Sequence, residues 1–343
     1  MFSLKLPRFT LPATLITVYL VASFPLYAQT VIRAGHFPNI THSQGVIGQA
    51  NGWFEKALAP QARVDWKIFN AGPSAIEALF AGAIDLTYIG PNPAINGYVR
   101  SHGEALRIIA GATSGGAALV VRADSGIQKP EDFRGKKIAS PQLGNTQDVA
   151  LRGWLNAHGL RLREKGGDVQ VIPIANPDQL TLFIKKEIDG AWAPEPWASR
   201  LIHEANGRLL LDERDLWPNG RFVTTHLIVS TKFLKEHRAL VKKWVEAHVE
   251  LTEWINKNLP EAKRVLNGEI KKETGKALPQ RVLDDSLSRL LVTYDPVRSS
   301  LFTSARWAFE AGFLGRQRPD LSGIYDLSVL NEVLKEKGTT PIP

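Results

Sequence analysis

"NAGPSAIEALFAGAIDLTYIGPNPA", residues 70–94, sets two Gly-Pro turns on either side of a short amphipathic helix and an apolar run. Proline is tolerated in the first turn of a helix, where its missing N–H has no intrahelical partner anyway, so each Gly-Pro reads as a helix start. Between them Ile76, Leu79 and Phe80 recur at helical spacing, which predicts a helix over 74–81 that buries all three and stops at Gly82. Residues 83–90, "AIDLTYIG", read as a buried strand. A strand that runs straight into a helix start is the unit of α/β sheets, and it aims unpaired helix amides at the carboxyl edge of the sheet.

Working outward, the same alternation recurs. "VIRAGHF" from Val31, a helix over about 41–57 and "RVDWKIF" precede the opening stretch, giving β-α-β-α order and predicting a parallel sheet. Further strands are predicted in "LRIIAGA", "AALVVRA", "KKIAS", "VQVIPI", "DGAWA", "RLLLD" and "THLIVS", with helices over about 146–158 and 177–186. After residue 231 the pattern is almost entirely helical, and the Pro-rich end "GTTPIP" reads as a loose tail. The β-rich strings "GGAALVVRAD" and "VTTHLIVSTK" bracket a block with its own β-α units. The expected organisation is one α/β lobe from 29–118 and 224–343, with a helical carboxy-terminal part, and a second lobe, 119–223, inserted into it. Two lobes joined by two strands make a hinged cleft.

Composition bounds the class. The 343 residues are 44% hydrophobic and 22% charged, ordinary for a globular chain. Lys5 and Arg8 precede the apolar run 9–28, which reads as a secretory signal cleaved near Ala28; Pro12 and Pro25 interrupt it as a bilayer anchor. There is no cysteine, hence no disulfide, no lipid on a leading cysteine and no thiol nucleophile. An exported chain without cysteine suits a bacterial periplasm. The formal charge is +8, and losing the bases Lys5 and Arg8 with residues 1–28 leaves +6. Acids and bases are interspersed, as in "EIKKETGK", which reads as solvated helix faces and argues against nucleic acid as a partner. A modest positive field still collects small anions.

Several motifs together resemble one family, the periplasmic solute-binding proteins of ABC importers for aliphatic sulfonates and taurine, with relatives for nitrate and bicarbonate. They are "ANGWFEK" at 50–56, "GPSAIEALFAGAID" at 72–85, "DFRGKKIA" at 132–139, "GNTQ" at 144–147 and "DGAWAPEPW" at 189–197. The resemblance spans about 31–237. It implies a type II periplasmic-binding fold, in which two α/β lobes close on a ligand and present it to a membrane permease, and binding segments at the strand-to-helix turns.

Four such turns are candidate anion sites: residues 36–44 ("HFPNITHSQ"), 71–74, 90–94 and 144–148. The expected ligand contacts are His36, Asn39, Thr41, His42, Ser74, Gly90, Pro91, Asn92, Asn145, Thr146 and Gln147. A helix start carries about half a positive charge, so several converging starts hold an anion without a full counter-charge. Ser74, Asn92 and Thr146 also suit plain helix capping, which is compatible with binding. "TSGGA" at 113–117 adds Ser114 and Gly115, either a close backbone approach to the ligand or a packed hinge. Trp192 and Trp197 either wall the ligand's carbon chain or pack in the core. Glu195 either binds an amine, as in taurine, or makes salt bridges away from the pocket. Thr225 and His226 lie at the second crossing. His36, His42 and His226 lack metal-ligand spacing, so no metal or cofactor is expected.

The expectation is a monomeric binding protein with no chemistry of its own, taking a small anion: sulfonate first, then nitrate, bicarbonate or a neutral pyrimidine-like heterocycle. The family's enzymes on this fold include desulfinases, which need a cysteine that is missing here. A sensor subunit would share the same ligand site.

Overall fold

A computed structural model describes residues 1–3 and 29–343. The expected signal segment and its cleavage point at Ala28 lie outside the described residues. Strands β1 (Thr30–His36), β2 (Ala62–Ile68), β3 (Leu86–Ile89), β4 (Leu106–Gly115), β5 (Ala117–Arg122), β6 (Lys137–Ser140), β7 (Gln170–Pro173), β8 (Gly190–Pro194), β9 (Gly207–Asp212), β10 (Val223–Ser230) and β11 (Leu290–Val292) form two sheets. One has six strands in the order β11-β4-β10-β3-β1-β2, the other five in the order β7-β6-β8-β5-β9.

The helices in the first half of the chain are α1 (Ser43–Asn51), α2 (Trp53–Leu58), α3 (Gly72–Phe80), α4 (Pro91–Arg100), α5 (Thr146–Ala157), α6 (Asn176–Ile184) and α7 (Trp197–Glu204). They are followed by α8 (Thr231–Glu236), α9 (Arg238–Lys257), α10 (Leu259–Thr274), α11 (Gln280–Ser288), α12 (Arg298–Ala311) and α13 (Ser328–Glu336). Among the described residues no helix is long and apolar enough to cross a membrane.

The sheets are not wholly parallel. β1 runs parallel to β2 and β3, and β6 to β7 and β8, as β-α-β order requires. The strands that carry the chain between sheets run the other way: β10 is antiparallel to β3 and β4, and β5 to β8 and β9. The first crossing is abrupt. β4 ends at Gly115 and β5 begins at Ala117 in the other sheet, with φ of 78° at Gly115 and 80° at Gly116, a region glycine enters freely. The return runs through 213–222, where two short helical turns lead into β10.

Three local expectations need correction. The helix over 41–57 is broken at Gly52, whose φ of 59° ends α1 and starts α2. On α3, Ala75, Ile76 and Leu79 are buried, but Phe80 stays 37% exposed, covered on one face by the Arg100 guanidinium at 5.2 Å from its ring. The tail is pinned, because Asn331 exchanges two hydrogen bonds with Ile342, at 2.9 and 2.8 Å.

The larger core lies between the six-stranded sheet and α1, α2 and α9. Trp244 stacks on Phe54 at 4.1 Å with both rings buried. Each such side chain contributes about 2–3 kcal/mol on leaving water. α11 and α12 then reach over to the second sheet's helices, α7 and α5, so the carboxy-terminal part of the chain touches both halves.

Candidate functional site

The carboxyl ends of β1, β2, β3, β6 and β8 all lead into helix starts, and those after β2, β3 and β6 meet. A methyl group placed on Gly90, at the start of α4, would come closer than 3.0 Å to Thr146 Oγ1 on α5. One placed on Gly72, at the start of α3, would collide with Pro93 and lie 3.2 Å from Asn145 Oδ1. Glycine at 72 and 90 therefore lets helix starts from both sheets touch.

Counting amides shows how unequal the starts are. On α5 the N–H groups of Thr146, Gln147 and Asp148 meet no protein acceptor, and Asn145 gives them no side-chain cap. On α4 Pro91 and Pro93 have no N–H, and that of Ala94 bonds Gly90 O, leaving only Asn92. Pro91 thus shapes the turn without donating. On α3 Gly72 and Ser74 flank Pro73. Thr146 Oγ1, Asn92 Oδ1, Thr225 Oγ1 and His42 Nδ1 are also buried without a hydrogen-bond partner. Native proteins rarely leave buried polar atoms unpaired, so Thr146 Oγ1 and Asn92 Oδ1, in the first turns of α5 and α4, are candidate partners for a polar ligand.

Residues 36–44 close the site from the first sheet. Thr41 O accepts from Thr113 Oγ1 at 2.7 Å, and Gln44 Nε2 donates to Ala112 O at 2.8 Å, fastening the loop to the end of β4. His42 stacks on Phe37 at 4.4 Å, and burial, aided by nearby His36, holds its imidazole well below the ordinary range and hence neutral. Asn39 Oδ1 accepts from Trp197 Nε1 of the second sheet's α7 at 2.9 Å. No sequence signal paired those two, and the stretch at 113–117 stood out for its small residues, not for the Thr113 hydroxyl.

Other expected contacts sit differently. His36 is at the end of β1 but is fully buried toward α1 and α10: its Nε2 meets Gln49 Oε1 at 2.7 Å and Glu273 Oε1 at 3.3 Å, and its ring packs on Trp66. One residue's step along a strand reverses the face, and His36 took the face away from the site. Ser74 is exposed and its hydroxyl donates to Ala71 O at 3.2 Å. Ser114 is buried at the β4 edge opposite Leu291, and Gly115 O accepts from Thr224 Oγ1. A methyl on Gly116 would lie 3.1 Å from both Thr41 and Leu290, so the crossing is tightly packed at these glycines.

Glu195 is fully buried and spent. Its carboxylate accepts from Ser199 N and Oγ and from Ser286 Oγ, each at 3.0 Å, and faces Arg289 Nε at 3.4 Å. Burial still pushes this carboxyl above the usual range, against the pull of those partners. Of the two readings of Glu195, the structure matches the salt bridge and leaves no free oxygen for an amine. Trp192 is a core residue whose Nε1 donates to Glu213 at 2.7 Å. His226 bonds Pro296 O at 3.1 Å, and burial lowers its pKa to about 4.

The roomier surface hollows lie elsewhere. One of about 840 Å3, lined by Arg33, Asp85, Arg100 and Lys232, opens at the amino ends of β1 and β3, the opposite edge from the helix starts. Ligands of open α/β sheets sit at the carboxyl edge, so size does not single out the site here.

Known proteins share the family and the fold. The chain matches the NMT1-like family over residues 28–267. It is 27% identical to the taurine-binding periplasmic protein of Escherichia coli (strain K12) over 207 residues, 60% of each chain, so the match spans three fifths of that relative's length. Among solved structures it resembles the alkanesulfonate-binding protein SsuA from Xanthomonas axonopodis pv. citri bound to MOPS, with a TM-score of 0.72 at 20% identity, covering 87% of this chain and 99% of that one. It also resembles the periplasmic nitrate-binding protein NrtA from Synechocystis PCC 6803, with a TM-score of 0.71 at 14% identity, covering 90% and 89%. The fold is that of the periplasmic binding proteins, and the chain belongs to the NMT1-like family.

Proposed function

We propose that this chain is the substrate-capturing component of an ABC importer, which closes two lobes, 29–118 with 224–343 and 119–223, on a small anion of the aliphatic sulfonate class. It works in the periplasm after cleavage near Ala28, as a monomer that hands its ligand to a membrane permease and catalyses no reaction. The observation that carries the reading is the start of α5: three unpaired amides and the unpartnered Thr146 hydroxyl, buried against Gly90 of the opposite sheet. A sulfonate's oxygens accept several hydrogen bonds in such a fork, and the helix end balances its charge. The names of a taurine-binding relative and an alkanesulfonate-binding structural neighbour support the ligand class.

A thermal-shift panel of ethanesulfonate, taurine, nitrate, bicarbonate and a pyrimidine tests it. A ligand at 100 times its dissociation constant adds about 2.7 kcal/mol of stability. The reading expects the sulfonates to raise the melting temperature most. A shift with the pyrimidine alone would overturn it.

A further inference from the structure

The charged side chains on the elements that build the site are few, and each is already paired. On α5, Asp148 accepts from Ser140 Oγ at 2.6 Å, Gly144 N at 2.9 Å and Arg152 Nε at 3.0 Å, while Arg152 also holds Glu164 at 2.6 Å. Glu195 is held by Ser199, Ser286 and Arg289, and Arg289 in turn binds Asp285 at 2.6 Å. On α7, Arg200 pairs with Glu204. On α3 and α4, Glu77 and Arg100 pair with each other. Residues 36–44, the crossing at 113–118 and the start of β10 carry no Asp, Glu, Lys or Arg. Their histidines His36, His42 and His226 are buried, and burial lowers each pKa, which favours the neutral imidazoles.

The site's positive potential therefore comes from helix starts alone, each equivalent to about half a charge at most. α5 gives three free amides, α3 three (Gly72, Ser74 and Ala75) and α4 one, on three helix ends that together suit one negative charge. A second negative charge would meet no cation. An ammonium group would meet the same positive helix ends and no free carboxylate, an unpaired buried charge of the costly kind. The uncharged groups that remain, Phe37 and the Trp197 indole beside Asn39, suit a short apolar remainder.

We propose that the site is selective for monoanions whose remainder is uncharged: simple alkanesulfonates bind in preference to the zwitterion taurine and the dianion sulfate. This rests on the sulfonate reading of the site above. The excluded ligands are rejected by what the site lacks, as negative selection often works.

Isothermal titration of the full mature chain, freed of bound ligand, with ethanesulfonate, taurine and sulfate tests it. Near neutral pH the expected result is ethanesulfonate binding at least about tenfold more tightly than either competitor. In alkaline buffer, above the pKa of taurine's amine, taurine becomes a monoanion with a neutral tail, and the gap to ethanesulfonate should narrow to about threefold or less. Thr146→Asp, which suits the first turn of a helix but sets a negative charge at the start of α5, should abolish the ethanesulfonate heat. Taurine or sulfate binding as tightly as ethanesulfonate near neutrality overturns the selectivity and leaves the site reading standing. So does a taurine gap that is unchanged in alkaline buffer. No heat with any of the three, or ethanesulfonate heat that survives Thr146→Asp, overturns both.

Discussion

Replacing Gly90 with alanine separates closure of the site from folding of the chain. With φ of −69° and ψ of 157°, Gly90 occupies backbone that any residue adopts, so an alanine adds no strain to the start of α4. Its methyl, however, would lie closer than 3.0 Å to Thr146 Oγ1 and 3.3 Å from Thr146 Cβ. Thr146 is β-branched and stiff in the first turn of α5, so relief comes from moving the two helix starts apart. Overpacking of this kind costs about 1–3 kcal/mol, and here it falls only on the state in which α4 and α5 touch. Away from that state, glycine to alanine at a compatible position gains about 0.4–1 kcal/mol by restricting the unfolded chain. Gly90→Ala should therefore weaken ethanesulfonate binding about 5- to 150-fold while the unliganded melting temperature holds or rises slightly. Titration calorimetry reads the first and scanning calorimetry the second. Affinity unchanged within about twofold would refute the idea that ligand binding needs this contact. A melting temperature that drops in step with affinity would refute it as well, by showing a folding defect instead.

Other consequences are separately measurable. Thr146→Asp should leave the unliganded stability within about 0.5 kcal/mol of the native chain by urea titration, because a carboxylate in the first turn of α5 is favoured by the unpaired amides and the positive helix end. Glu195→Gln should cost about 3 kcal/mol of stability, the low end for breaking a buried pair, because Asp285 still holds Arg289. Burial pushes the Glu213 carboxyl from 4.5 up to about 7, only partly offset by the Trp192 N–H. Its contribution to stability is complete below 4.5 and is lost as pH rises through about 7, on the order of 3 kcal/mol in all. Glu213→Gln should flatten that alkaline decline in a pH series of denaturant titrations. His226 and His248 are lowered by burial from 6.5 to about 4, so their contribution is present above 6.5 and lost as pH falls through about 4. The native chain should accordingly be most stable near pH 6.5, with His248→Gln lessening the acid loss below it.

Much of the frame was legible in the chain. The strand-to-helix units, the glycines at the first crossing and the Gly-Pro helix starts are local patterns, and the structure has them where periodicity and turn residues put them. That α4 offers a single amide was also legible, since Pro91 and Pro93 are both in the sequence and neither has an N–H. What escaped was direction and distance. A strand's last residue faces whichever side the register allows, which is why His36 turned toward Glu273 and away from the site. Ser74 looked like a contact because it follows a Gly-Pro, yet the helix turns its hydroxyl back to Ala71. The fate of Glu195 depended on Ser286 and Arg289, roughly ninety residues further on, and no local pattern reports on partners so remote. The opposed polarity of β5 and β10 likewise follows from the crossing itself and not from the β-α alternation.

The most direct test of the central claim, that helix starts from both sheets hold the anion, is a crystal structure of the mature chain with ethanesulfonate. The account predicts the sulfonate oxygens within hydrogen-bond distance of Thr146 Oγ1 and the amides of Thr146, Gln147 and Asp148, with Asn92 and Gly90 closing over it from the other sheet. A sulfonate bound instead in the groove at the amino ends of β1 and β3, beside Arg33 and Lys232, would contradict it.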